Sequence, residues 1–239
     1  MGQNKVRTYL LYAIGEIALV MIGILLALQV NNWNEERKER NIEQYILQQV
    51  KEDLSGGLTD LEFNMSMIDQ SMQSAQILIE HMGSQKPYDD SIGTHISKIF
   101  VWSVWLINAG GYESMKSEGI NIISDEELRN DIINLYEGRL DFHREFESFI
   151  NARTETLINQ NGSFFFKSMN KGIGFNNGSF SFGYSKPLDY EVLRTDSDFR
   201  FQVETVASML KLFQQLSNQG NKRRIESLIV EIDANLESF

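Results

Sequence analysis

The stretch that decides the architecture is Tyr9–Val30, YLLYAIGEIALVMIGILLALQV, in which Glu16 is the one charged side chain. At ~1.5 Å per residue a helix of this length spans about 33 Å, enough to cross a hydrocarbon layer of about 30 Å. A cleaved signal peptide would have a shorter apolar run, ~7–15 residues, followed by a small-x-small cleavage site. Here the run meets Asn31-Asn32-Trp33-Asn34 instead. The sequence therefore predicts a retained membrane anchor, with Tyr9, Tyr12 and Trp33 at the two interfacial belts. It divides the chain into an N-terminal tail (1–8), a membrane helix (9–30) and an extramembrane domain (31–239).

Lys5, Arg7 and the terminal amine flank one end of the span; Arg37, Lys38 and Arg40 lie beyond the other, farther from the apolar run. Proximity favours the tail inside and the domain outside. In a Gram-negative cell this is an inner-membrane protein with a periplasmic domain.

A carboxylate near the bilayer centre costs roughly 2.5–3.5 kcal/mol on insertion scales. Glu16 lies seven residues before Gly23, with Tyr12 and Ala27 close to the same face. The Gly23-x-x-x-Ala27 spacing lets two backbones approach. Glu16 is expected to hydrogen-bond across an oligomer or to a partner helix. A proton- or ion-coupled carboxylate and simple snorkelling stand as alternatives.

The net charge of −11 is unevenly spread. The first thirty residues are one positive net and residues 31–40 balance, so the remainder holds about twelve net negatives. Such a surface repels phosphate backbones, which argues against a nucleic-acid partner. Cysteine is absent, which removes disulfides, thiolate catalysis and cysteine metal ligands together.

No helix breaker follows the span until Ser55, so the membrane helix is expected to run on into the domain. Leu54, Leu61, Ile68, Ala75 and Met82 recur every seven residues, with Leu58, Met65, Met72 and Ile79 four later. This is an a/d seam of the kind found in coiled coils, interrupted at Gly56-Gly57.

A turn is expected at Ser84–Ser91, then a second helix at about Ile92–Asn108 carrying Trp102 and Trp105 on one side, ended by Ala109-Gly110-Gly111. Ser124 is expected to cap a third helix reaching about Gln160, with Leu128, Ile132, Leu135, Leu140, Phe142, Phe146, Phe149 and Ile150 on its apolar face. Residues 161–185 form a glycine- and aromatic-rich insert. Ile173–Phe182 reads as a hairpin turning at Asn177-Gly178, which pairs Phe175 with Phe180 and Ile173 with Phe182 on one face. That face either folds onto the bundle or stays exposed for a partner. Thr195-Asp196-Ser197-Asp198 opens the last helix, which keeps a three-four rhythm from Phe199 to Leu236 and bends at Gly220.

His81, His95 and His143 are far apart and none has a second ligand at metal spacing. Gly172-x-Gly174 lacks the strand–helix setting of a dinucleotide site, and no phosphate loop or Gly-x-Ser-x-Gly elbow occurs. No catalytic residue, metal or cofactor is assigned.

The block Gly15-Glu16-Ile17, Ile22-Gly23-Ile24 and Ala27-Leu28-Gln29-Val30-Asn31-Asn32-Trp33-Asn34-Glu35 resembles the N-terminal signature of a bacterial membrane family known only as a domain of unknown function. Tyr112–Gly119 through Leu128-Arg129 is similar to its second recognisable block. The resemblance implies one span, a helical soluble part, bacteria with an outer membrane and no assigned reaction; the two matching blocks do not extend to the 161–185 insert.

The sequence thus predicts an all-α protein: a transmembrane helix continuing into an antiparallel bundle, with a small aromatic hairpin. The expected role is a non-catalytic, oligomeric binding or scaffold subunit of a cell-envelope assembly, whose partners are the lipid bilayer, further copies of itself or another membrane protein. An ion-coupled motor or transporter subunit working through Glu16 is one alternative. A ligand sensor with a pocket near Trp102, Trp105 or the insert is another.

Overall fold

The computed structural model describes residues 3–100, 102–176 and 179–239, and the side chains from Gly15 onward except those of residues 161, 163, 164 and 176. Its dominant element is one helix, α1 (Gln3–Gly83), which carries the apolar segment and continues unbroken into the domain. The apolar segment is long and hydrophobic enough to cross a membrane. From Gly15 to Asn41 every residue is exposed, and the first buried side chain among the described residues is Glu43. A bare stalk therefore separates the apolar segment from the packed domain.

Around the upper part of α1 pack α2 (Asp90–Ile99), α3 (Gly110–Glu118), α4 (Glu126–Ile133), α5 (Leu140–Phe165), α6 (Tyr190–Thr195), α7 (Ser197–Phe213) and α8 (Gln219–Leu236), with the hairpin β1 (Phe166–Asn176) and β2 (Ser179–Pro187). The fold is helical with one small antiparallel sheet, as its patterning predicts. A π turn at Asn134–Arg139 joins α4 to α5, and another at Gln214–Asn218 joins α7 to α8. The Leu140 N–H reaches back to the Leu135 carbonyl, five residues earlier. That extra residue keeps Leu135 and Leu140 on one buried face although five positions separate them.

The last rod runs antiparallel to α1. Lys51 pairs with Asp233, Lys222 Nζ lies 2.5 Å from Glu62, and Gln214 Nε2 donates to Asp69 at 2.9 Å, so one numbering climbs as the other falls. The seam of α1 is spent inside this bundle. Leu54, Leu61, Ile68, Ala75 and Met82 are buried, and Leu58, Met65, Met72 and Ile79 pack beside them half-buried. It is a core seam within one chain.

Two large apolar clusters result among the described residues, with a small third of Met67, Phe180 and Phe182 under the hairpin. Of the two large ones, one gathers around Leu54, Leu61, Leu135 and Leu228 nearer the stalk, the other around Ile68, Ile96, Phe199 and Phe213 at the far end. Between the two lies a buried polar layer of Asn64, His143, Gln214, Ser217, Asn218 and Asn221. The second π turn supplies Gln214, Ser217 and Asn218 to it.

Four local expectations are corrected. The second helix stops at Ile99, and residues 102–108 are not helical; from 102 to 106 exposure alternates residue by residue, as in a strand. Trp102 and Trp105 consequently face opposite ways, Trp102 being 59% exposed and Trp105 8%. Ala109-Gly110-Gly111 begins α3 instead of ending a helix, because a Cβ on Gly111 would sit 2.5 Å from the Val50 backbone, and glycine lets α3 lie against α1. Asp125, not Ser124, caps α4 by accepting from Glu127 N and Leu128 N; Ser124 instead donates to the buried Glu43 carboxylate. The third helical rod ends at Phe165, five residues past Gln160, and Phe142 and Phe149 of its expected apolar face stand exposed, outside the buried stripe.

The hairpin pairs Phe175 with Phe180 and Ile173 with Phe182. Its strands run longer than Ile173–Phe182, and the Asn177-Gly178 turn lies outside the described residues. Register shifts between Phe166 and Lys171 bulge β1, with Asn170 at φ 45°. The Ser185 hydroxyl steadies the bulge by accepting from Asn170 N at 2.9 Å.

Candidate functional site

The extended segment 102–106 is held in an unusual way for a strand, since β1 and β2 pair with each other and not with it. Four consecutive N–H groups are taken by side chains of α1 and α5. Ser103 N donates to Asn151 Oδ1 (3.1 Å), Val104 N to Asn64 Oδ1 (3.3 Å), Trp105 N to Glu147 Oε1 (2.8 Å) and Leu106 N to Asp60 Oδ2 (2.8 Å). The two amides also donate back, Asn151 Nδ2 to the Ser103 carbonyl and Asn64 Nδ2 to the Val104 carbonyl. Buried backbone groups need partners, and here polar side chains replace a neighbouring strand.

Extended backbone alternates its side chains. Ser103 and Trp105 turn inward, whereas Trp102, Val104 and Leu106 turn outward and stay exposed. Those three form one wall of a cavity of about 630 Å³. Phe63 and Met67 of α1 form its floor, Ile158 comes from α5, and Met169, Ile173, Phe175 and Phe180 come from the hairpin. Asp60, Asn64 and Asn170 are its polar members. Asp60 and Asn64 are already engaged by the 103–106 backbone, so the lining offers mainly apolar contact. Phe63 stacks on Phe175 and meets Phe180 edge-on, both at 6.1 Å between centroids.

A second cavity, about 540 Å³, lies against the same hairpin and shares Phe63, Met67 and Phe180 with the first. Its chemistry differs: Ser66, Gln70, Thr94, Lys98, Ser179 and Ser181 face it. Lys98 Nζ sits 5.2 Å from the Phe182 ring centroid and donates to Gln70 at 3.3 Å, with no carboxylate partner among the described residues. One turn away on α2, burial and the Lys98 charge hold His95 below the usual imidazole range.

Glu16, Gly23 and Ala27 lie on the exposed stretch of α1, away from both cavities; the side chain of Tyr12 lies outside the described residues. The seam residues serve the core, apart from Phe63 and Met67 beside them, which reach the cavity. Of the aromatic patch, Ile173, Phe175 and Phe180 line the apolar cavity, while Phe182 is buried and lines the polar one. Sequence reasoning missed Trp102-x-Val104-x-Leu106 as a wall. The β-favouring run at 101–107 was the available signal, but inward Trp105 is as apolar as its outward neighbours and hides the alternation.

Ser217, His143 and Glu147 come together in space: His143 Nδ1 lies 2.8 Å from Ser217 Oγ, and Nε2 faces Glu147 at 3.5 Å. Ser217 and His143 are both buried, with the Trp105 and Phe213 rings against the imidazole. The set belongs to the polar layer and joins it, through Glu147, to the 102–106 wall.

No curated protein and no solved structure matches the chain. Residues 16–171, more than half of the 239, match a family described as a family of unknown function, DUF6090, in a stretch running from Glu16 through α5 into β1: the chain belongs to that family.

Proposed function

We propose that this protein is a non-catalytic binding subunit of a bacterial cell-envelope assembly. Residues 9–30 anchor it in the inner membrane, and the helical domain stands on the periplasmic side. Copies associate through the Glu16, Gly23 and Ala27 face of the span, where a carboxyl group in lipid needs a hydrogen-bonding partner. The domain binds an apolar ligand group in the 630 Å³ cavity.

The observation that carries this reading is the wall at 102–106. Four side chains are committed to holding an unpaired backbone segment whose outward face is Trp102, Val104 and Leu106. Contiguous exposed apolar surface of this kind marks interaction sites, and the cavity's size falls in the range of ligand pockets, ~300–1,000 Å³.

Native mass spectrometry of the protein extracted with its neighbours tests the proposal. The wild type should carry additional mass from further copies and from a retained partner or ligand, and Val104→Asp should release the latter. A bare monomer in every preparation refutes it. The exposed position of Glu16 on the apolar helix favours one second reading, ion coupling. Glu16→Gln separates the two, because assembly through hydrogen bonds survives the change and proton carriage does not.

A further inference from the structure

Two cavities of different chemistry adjoin, with Phe63, Met67 and Phe180 common to both linings. Beyond those three, the lining of one is mainly hydrocarbon and aromatic, and that of the other, Phe182 apart, is mainly hydroxyl, amide and the Lys98 ammonium. We infer that together they bind a single-chain anionic amphiphile, its hydrocarbon tail in the apolar cavity and its carboxylate beside Lys98. The inference rests on the proposed reading of the apolar cavity as a ligand site and adds the ligand's chemistry.

Three observations select this occupant. The 103–106 backbone N–H groups are already satisfied, so the wall has little to offer an extended peptide, whose own backbone would be left unpaired. A hydrocarbon chain needs no hydrogen bonds, and the thioethers of Met67 and Met169 adapt to its shape. On a strongly acidic chain, Lys98 is a half-buried cation facing the polar cavity, with no acidic partner among the described residues. A carboxylate would supply the missing charge, with Thr94 and Ser181 hydroxyls in the same cavity as further donors.

The ligand comes from solution rather than from the anchoring bilayer. Thirty helical residues separate Val30 from Asp60, about 45 Å along α1, which is beyond the reach of a lipid still seated in the membrane.

The test uses the full-length protein in lipid nanodiscs and a dodecanoate bearing a terminal diazirine, with labelled peptides mapped by mass spectrometry. Label should appear in 102–106 and 169–175. Unlabelled dodecanoate should compete about tenfold better than dodecanol, the scale of one charge-assisted hydrogen bond. Lys98→Gln should abolish that preference while dodecanol still competes. Val104→Asp and Ile173→Asp, both at exposed positions, should each remove the label from the domain. Label confined to residues 9–30 overturns the inference, as does equal competition by acid and alcohol in the wild type. If no probe labels the domain while native extracts still retain a partner that Val104→Asp releases, the inference falls and the proposed function stands.

Discussion

The Trp105 indole N–H donates to the Gly57 carbonyl at 2.7 Å, fastening the extended wall to a place on α1 where a side chain is missing. A Cβ on Gly57 would meet Ile107 Cγ1 at 2.6 Å, so the same glycine admits the segment's return. Trp105→Phe should lower stability by about 1–3 kcal/mol, through the lost indole hydrogen bond and the core volume that the smaller ring leaves unfilled. Gly57→Ala should also destabilise, despite alanine's better helix propensity. Chemical denaturation followed by circular dichroism measures both; a more stable Gly57→Ala protein would contradict the packing.

Asn151 accepts from and donates to the Ser103 backbone. Asn151→Leu should leave those backbone groups unpaired and free the wall at its Trp102 end. Hydrogen exchange at residues 103–106 is expected to speed up before any change spreads to the cores. Unchanged protection there would mean that the side-chain clamp is not what holds the segment.

Leu61 and Leu58 look alike in the heptad, yet Leu61 is fully buried and Leu58 only half. Leu61→Ala should cost about 2–5 kcal/mol, the usual range for emptying a core position, and Leu58→Ala less. Equal losses in thermal or denaturant unfolding would argue that the seam lies elsewhere.

His95 gives the domain a pH dependence of definite sign. Burial first, and the nearby Lys98 charge second, lower its pKa below the ordinary 6.5. The unfolded chain therefore takes up the proton more readily, and stability present above about pH 6.5 declines as pH falls toward the lower folded value. Melting temperature measured from pH 7.5 down to 5 should drop less steeply in His95→Gln than in the wild type. A parallel pair of curves would rule His95 out as a contributor.

Much of the bundle is legible because periodicity reports burial. The α1 seam, the start of the last rod within Thr195–Asp198 and the Phe175–Phe180 register follow from local spacing and turn residues. The wall was not legible. Its conformation depends on Asn64, Asp60, Glu147 and Asn151, polar residues from two distant helices whose convergence no local pattern announces. The five-residue step from Leu135 to Leu140 was in plain sight, but it signifies a π turn only once both leucines are known to share a core. Lys98 likewise acquires meaning from β2, some eighty residues downstream.

The uninterrupted course of α1 ties the apolar segment to the domain as a shaft ties a handle to its blade. Adding one residue to the bare stretch between 31 and 41 would swivel the cavities by ~100° about the shaft and raise them ~1.5 Å. Adding seven would bring them back to within ~20° of their starting azimuth, now ~10 Å higher. A partner holding the span at Glu16, as proposed above, would thereby set the compass bearing of the domain's openings, with no hinge among the described residues to absorb the twist.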